Sequence, residues 1–200
     1  MSSTVIIKYN AGNIRSVLFA LERIGVDALV TDDPELIRSA DRVIFPGVGE
    51  ASSAMAYLQE KGLEKLIPSL KQPVLGICLG MQLMCSFSEE NNTPCMGIFP
   101  ATVRQFEGNT GLKVPQIGWN EICQLQSPLF DKVPEATYVY FVHGYYVPLN
   151  ENTIAVAGYG LPYSAAIRKD NFMAVQFHPE KSGDAGEQML RNFIFSTHQL

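Results

Sequence analysis

The chain has 200 residues, 46% of them hydrophobic, and a formal net charge of −5, which suits one domain spanning 1–200 with a well-buried core and leaves too little chain for a second catalytic domain. Lysines and arginines are scattered, so the electrostatic footprint of a nucleic-acid binder is missing; no apolar run reaches membrane-spanning length, and Met1-Ser-Ser-Thr passes into Val5-Ile-Ile7 too soon for a signal peptide. Cys78, Cys85, Cys95 and Cys123 include no C-x-x-C pair, which argues against a disulfide framework or a zinc site and for a reducing, cytoplasmic compartment.

Val5-Ile-Ile7 reads as a buried strand, and Asn13 is expected to cap a helix that places Val17, Leu18, Leu21 and Ile24 on one face before Gly25 stops it. A strand over 28–31, a short helix begun by Asp33-Pro34, and a strand over 42–45 follow, so strands alternate with helices. That alternation predicts an α/β fold with an open, mixed but largely parallel sheet flanked by helices. Pro46-Gly-Val-Gly49 ends the third strand, where such sheets place ligands. It reads either as a flexible strand-to-helix turn or as a loop presenting backbone N–H groups. Helices over 51–61 and 63–70, broken at Gly62, lead to a strand over 74–78.

Gly76 and Gly80 flank Cys78 at the spacing of a nucleophile elbow, in which the chain turns sharply and thrusts one side chain outward. Leu79, Leu83, Met84 and Phe87 recur at helical spacing, predicting a helix over 79–87 whose N-terminus favours thiolate over thiol. Taken alone, Cys78 is as well read as a small buried hydrophobe. Glu89-Glu90-Asn91-Asn92 would be the solvated end of that helix, although acidic residues there oppose its dipole. From 101 to 124 the pattern loosens into short β segments, with Gly108-Asn-Thr-Gly111 as a hairpin-like turn and the single Trp119 in a Gly- and Pro-flanked stretch. The run 138–146 and strands over 154–157, 165–169 and 172–177 make the second half more antiparallel, and an amphipathic helix over 183–199 closes the chain, with His198 near its end.

The strand over 172–177 delivers His178 and Glu180, two positions apart across Pro179. In extended chain, which the proline favours, residues i and i+2 point the same way, so His178 can face the thiol while Glu180 holds its other ring nitrogen. His143 is the rival base, but it lacks a neighbouring carboxylate.

Gly-Ile-Cys78-Leu-Gly-Met-Gln82 together with Phe-His178-Pro-Glu180 resembles the class I, triad-type glutamine amidotransferases. With Tyr9-Asn-Ala-Gly-Asn13, Pro46-Gly-Val-Gly49, Pro115-Gln-Ile-Gly-Trp-Asn120 and His178-Pro-Glu-Lys-Ser182, the whole chain is similar to their branch found as glutaminase subunits of imidazole glycerol phosphate synthases. That resemblance implies hydrolysis of glutamine by Cys78, His178 and Glu180. It also implies an oxyanion hole from the backbone of Val48, Gly49 and Leu79, and substrate contacts from Gln82, Glu90, His143 and Tyr145. It implies an interface around Trp119, Asn120 and Lys181 with a (β/α)₈-barrel cyclase subunit, which takes ammonia to form imidazole glycerol phosphate and AICAR in histidine biosynthesis. No metal or organic cofactor is implied. The sequence departs from the family pattern at Lys8, Asn10 and Gln116, the last standing where a histidine is usual. The glutaminases of anthranilate or aminodeoxychorismate synthase are a second fit, but they usually carry His where Met81 stands and lack Gly-Trp-Asn. A noncatalytic binding module would require a broken triad, and a cysteine peptidase or amidase a different substrate.

Overall fold

The computed structural model describes residues 3–10, 13–107 and 111–196. The first half alternates as its sequence dictates: β1 (Thr4–Ile7), α1 (Ile14–Arg23), β2 (Ala28–Thr31), α2 (Pro34–Ser39), β3 (Arg42–Gly47), α3 (Ala51–Glu60), α4 (Leu63–Ser69), β4 (Val74–Cys78) and α5 (Leu79–Met84). Strands then dominate, as β5 (Cys85–Ser88), β6 (Thr93–Pro94), β7 (Phe99–Gln105), β8 (Gln116–Ile122), β9 (Thr137–His143), β10 (Tyr145–Tyr146), β11 (Thr153–Gly158), β12 (Pro162–Lys169) and β13 (Phe172–Val175), before the closing helix α6 (Gly183–Phe195).

A seven-stranded sheet runs in the order β11-β12-β13-β4-β3-β1-β2; β2, β1, β3, β4 and β13 pair in parallel, and β12 and β11 add antiparallel. Alternate residues of its central strands enter two cores. Ile6, Ile44, Leu75 and Ile77 pack with Val17 and Leu21 of α1 and with Leu190 and Phe193 of α6. Val5, Val43, Phe45 and Val74 pack with Leu58, Leu66 and Leu83 of α3, α4 and α5. Both faces being covered explains why these strands read as continuous apolar runs. Among the described residues no helix is long and apolar enough to cross a membrane.

Several boundaries differ from the sequence expectation. The helix after Cys78 ends at Met84, and Cys85–Ser88 is a strand that pairs with β7 and β6 in a four-stranded sheet, order β10-β7-β5-β6. Glu90 therefore does not close a helix; it lies in a 3-10 turn, Glu90–Asn92, with Asn91 and Asn92 left-handed. Its Oε2 accepts the Ala51 N–H at 2.7 Å, at the start of α3, so the carboxylate meets the favourable end of a helix dipole. Asn13 sits at the N-cap of α1 but makes no side-chain cap bond. By contrast Asp33 caps α2 through Glu35 N and Leu36 N, with Pro34 following as expected. The expected turn at 108–111 falls mostly, and His198 wholly, outside the described residues.

Candidate active site

Cys78 is the last residue of β4, level with Gly47 at the end of β3, so both stand at the carboxyl edge of the parallel sheet. The turn is carried by the cysteine itself, whose φ of 54° and ψ of −109° lie in a region that side chains rarely occupy. Its flanking glycine serves close approach: a Cβ on Gly80 would lie 2.0 Å from the Phe45 carbonyl oxygen, so α5 can begin tight against β3 only with glycine there. Gly49, with φ of 105°, supplies the other unusual backbone of the site.

Cys78, His178, Glu90, His143, Tyr145, Gln82, Val48, Gly49, Leu79 and Lys181 line one cavity of about 280 Å³. The expectation of extended chain at His178-Pro-Glu180 is corrected. β13 ends at Val175, His178 is extended, and Pro179–Lys181 forms one 3-10 turn that carries the carboxylate back to the Nδ1 edge of the ring. The two still meet: His178 Nδ1 lies 2.8 Å from Glu180 Oε1, both groups buried. Burial alone would lower the proton affinity of His178, yet its hydrogen bonds to Cys78 and Glu180 and the charges of both outweigh that and raise its pKa to about 10. The ring therefore holds its proton beside the sulfur.

His143, equally buried, takes the opposite shift. Burial lowers its pKa to about 4, against a smaller upward effect of the Tyr145 carbonyl, 2.7 Å from Nδ1. Its Nε2 is 3.1 Å from Gln116 Oε1 and 3.3 Å from the Tyr163 hydroxyl, so the unusual Gln116 faces inward and meets a neutral imidazole. Glu90 is half-buried and its pKa is raised, chiefly by burial and secondarily by Glu50, against the Ala51 N–H bond. Gln82 is buried and donates from Nε2 to Tyr145 O at 3.2 Å and Gln176 Oε1 at 3.0 Å.

The expected interface residues separate by role. Trp119 is 56% exposed and packs edge-on against Tyr140, whose ring also lies under the Lys181 ammonium, so the three form a row that reaches the cavity at Lys181. Ile117 and Tyr138 are exposed on the same face of the β8–β9 ribbon. Asn120 instead ties this ribbon to β11 by donating to Gly158 O at 2.9 Å. Lys8 and Asn10 are exposed, and Asn10 donates to Ser53 O.

Two site residues escaped the sequence reading. Asn13 Nδ2 donates to Glu180 Oε1 at 3.1 Å, a contact across the sheet edge that no local signal announces. Gln176 is fully buried and donates to the Cys78 sulfur at 3.7 Å. It had a visible signal: an uncharged polar residue inside the apolar run Met-Ala-Val-Gln-Phe, two positions from His178.

The family model for Glutamine amidotransferase class-I matches residues 6–197. The chain is 57% identical over 190 residues to Imidazole glycerol phosphate synthase subunit HisH of Bacteroides fragilis, covering 94% of this chain and 97% of that one. It is 47% identical over 195 residues to the protein of the same name from Haemophilus influenzae, covering 97% and 98%. Among solved structures, a glutamine amidotransferase superposes with a TM-score of 0.73 at 19% identity, covering 94% of this chain and 96% of that one. PurLQS from Thermotoga maritima gives 0.70 at 16% identity, covering 96% and 97%. At such identities these two likenesses speak for the fold.

Proposed function

The chain belongs to the class-I glutamine amidotransferases, and from that premise we infer that it is the glutaminase subunit of an imidazole glycerol phosphate synthase, working in histidine biosynthesis with a partner subunit. The observation that carries this reading is the near-complete coverage at 57% identity by a relative bearing that subunit's name. The geometry at Cys78 supports the same chemistry. On this reading the whole chain acts as one cytoplasmic glutaminase domain.

Glutamine enters the cavity with its side-chain carbonyl over Cys78. The sulfur attacks the carbonyl carbon, a C–S bond forms, and the oxygen takes the charge, resting on backbone N–H groups of Val48 or Gly49 and of Leu79. His178, which already holds a proton, gives it to the amide nitrogen as the C–N bond breaks, so ammonia leaves and a thioester remains. Formation of the thioester removes the sulfur's charge and with it a principal cause of the high proton affinity of His178. The neutral ring is then a competent base, taking a proton from the water that hydrolyses the thioester to glutamate. Glu180 fixes the ring's orientation throughout. Glu90, a carboxylate at the cavity wall, receives the substrate ammonium, with Gln82, His143 and Tyr145 shaping the rest of the pocket.

The exposed row of Ile117, Trp119, Tyr138 and Lys181 is the docking face for a (β/α)₈-barrel cyclase, since large apolar and aromatic side chains beside a cavity mouth suit a buried, water-excluding interface. Ammonia crosses this face without meeting bulk water. Glutamate release by the chain with its co-purified subunit, set against release of ammonia from peptide amides, tests the reading; turnover of peptides with none of glutamine would overturn it.

A further inference from the structure

The hydrogen bonds behind the nucleophile form a chain with one direction. The Tyr145 carbonyl is an acceptor and cannot be otherwise, so the group facing it, Gln82 Nε2, must be an amide nitrogen. The same nitrogen donates to Gln176 Oε1 at 3.0 Å, which fixes the second carboxamide in turn. Only the NH₂ of Gln176 remains to face the Cys78 sulfur, at 3.7 Å, from the interior side of the elbow where no part of Gln176 is exposed. A second contact on the sulfur acts the other way: the Val142 carbonyl, 3.6 Å off, accepts a hydrogen bond from the protonated thiol and offers nothing to the thiolate.

We propose that Gln176 is a further catalytic residue of this site, donating an N–H to the Cys78 sulfur in an orientation dictated through Gln82 by the Tyr145 carbonyl, and so favouring the thiolate before glutamine arrives. A hydrogen bond donated to the charged form of a group favours that form. Without it the sulfur keeps the Val142 acceptor and the titratable groups that face it, the His178 ring and the buried Tyr9 hydroxyl, but loses the donor on its interior side. The proposal also gives Gln82 a second task. Both its N–H bonds are spent on Tyr145 and Gln176, so toward glutamine it can act only as an acceptor through Oε1. This deepens the glutaminase reading and rests on Cys78 being its nucleophile.

The test is the pH dependence of Cys78 alkylation by iodoacetamide, followed on the Cys78 peptide by mass spectrometry in the full chain bound to its subunit. Cys85 and Cys95 interfere little, because burial pushes both thiols up, Cys95 to about 12. In Q176M, which keeps the side chain's length and removes the donor, the alkylation midpoint should rise by about one pH unit and glutamine turnover near neutrality fall roughly tenfold. Q82M leaves Gln176 in place but frees it to turn, so its midpoint should move the same way by a smaller step. A merely structural role would lower the melting temperature and leave the midpoint alone. If both variants keep the wild-type midpoint, the proposal is overturned; if Q176M does not fold, the Q82M midpoint alone decides. Absent glutamine turnover by the wild-type complex, with the midpoints still shifted, would remove the glutaminase reading and leave the sulfur contact standing.

Discussion

Two walls of one cavity each present a buried histidine, and the histidines are driven in opposite directions. His178, in the segment after β13, rises to about 10, while His143, at the end of β9, falls to about 4. Burial pushes both rings toward neutrality. What separates them is company: His178 lies between Cys78 and the Glu180 carboxylate, whereas His143 meets a carbonyl, a carboxamide and a phenol, all neutral. On the proposed reading, acid–base chemistry therefore belongs to the sheet-edge wall, and the β9 wall supplies shape without charge.

The sharpest break of that comparison removes the charged wall. Cys78→Ala and His178→Ala should each lower glutamine turnover ~10⁴-fold or more, with Glu180→Gln closer to His178→Ala than to wild type, in steady-state assays of glutamate release. His143→Ala should weaken glutamine binding more than acylation. A larger single-turnover defect in His143→Ala than in His178→Ala would reverse the assignment of the base.

The next effect concerns the loop between the walls. Gly49, at φ 105°, lets the peptide planes beside Val48 rotate at little steric cost, so an oxyanion N–H can be turned away at rest. The chain alone should then be a poor glutaminase, and the partner with its phosphoribosyl ligand should raise turnover by roughly two to three orders of magnitude, mainly in acylation. Equal turnover for the chain alone, with partner, and with partner plus ligand would show a hole formed from the start.

The two histidines also make opposite claims on stability against pH. His143 is depressed in the folded state, so between about 6.5 and 4 the unfolded chain binds more protons and stability falls as pH drops through that window. His143→Gln should remove that loss, up to roughly 3 kcal/mol by linkage, in denaturant titrations from pH 7 to 4. His178 works in reverse: its stabilisation is full below about 6.5 and fades as pH climbs toward 10, so His178→Gln should flatten the alkaline limb. The smallest effect lies outside both walls. Trp119→Ala should weaken partner binding by about 2 kcal/mol, measured calorimetrically, and leave the glutaminase rate of the free chain unchanged.

Sequence and structure agree wherever a short motif carries its own geometry. The glycine–cysteine spacing reads as an elbow from the motif alone, although the atom that demands Gly80, Phe45 O, stands on β3 and is supplied only by the fold. His178-Pro-Glu180 is legible as a pair although its backbone is a turn and not extended chain, because two residues of separation bring the groups together either way. The helix after Cys78 is overread for an equally physical reason. Leu83, Met84 and Phe87 keep helical period, but from Cys85 onward pairing with β7 decides the backbone, and no window around residue 85 contains that partner. Asn13 looks like a cap and serves Glu180, a contact reaching from the first loop to the last turn that only the folded sheet creates.

The backbone of Cys78 carries one more implication. A non-glycine residue at φ 54°, ψ −109° sits on the order of 1–3 kcal/mol above a relaxed conformation. Glycine would occupy the same turn without that penalty, although its freer unfolded chain offsets about 0.5–1 kcal/mol of the gain. Among inactive proteins, then, Cys78→Gly should melt above Cys78→Ala, and the nucleophile occupies a site where heredity without use would drift toward glycine. Directed selection for thermal tolerance that ignores turnover should reach this codon early, and a rise in melting temperature there is a warning that catalysis has been discarded.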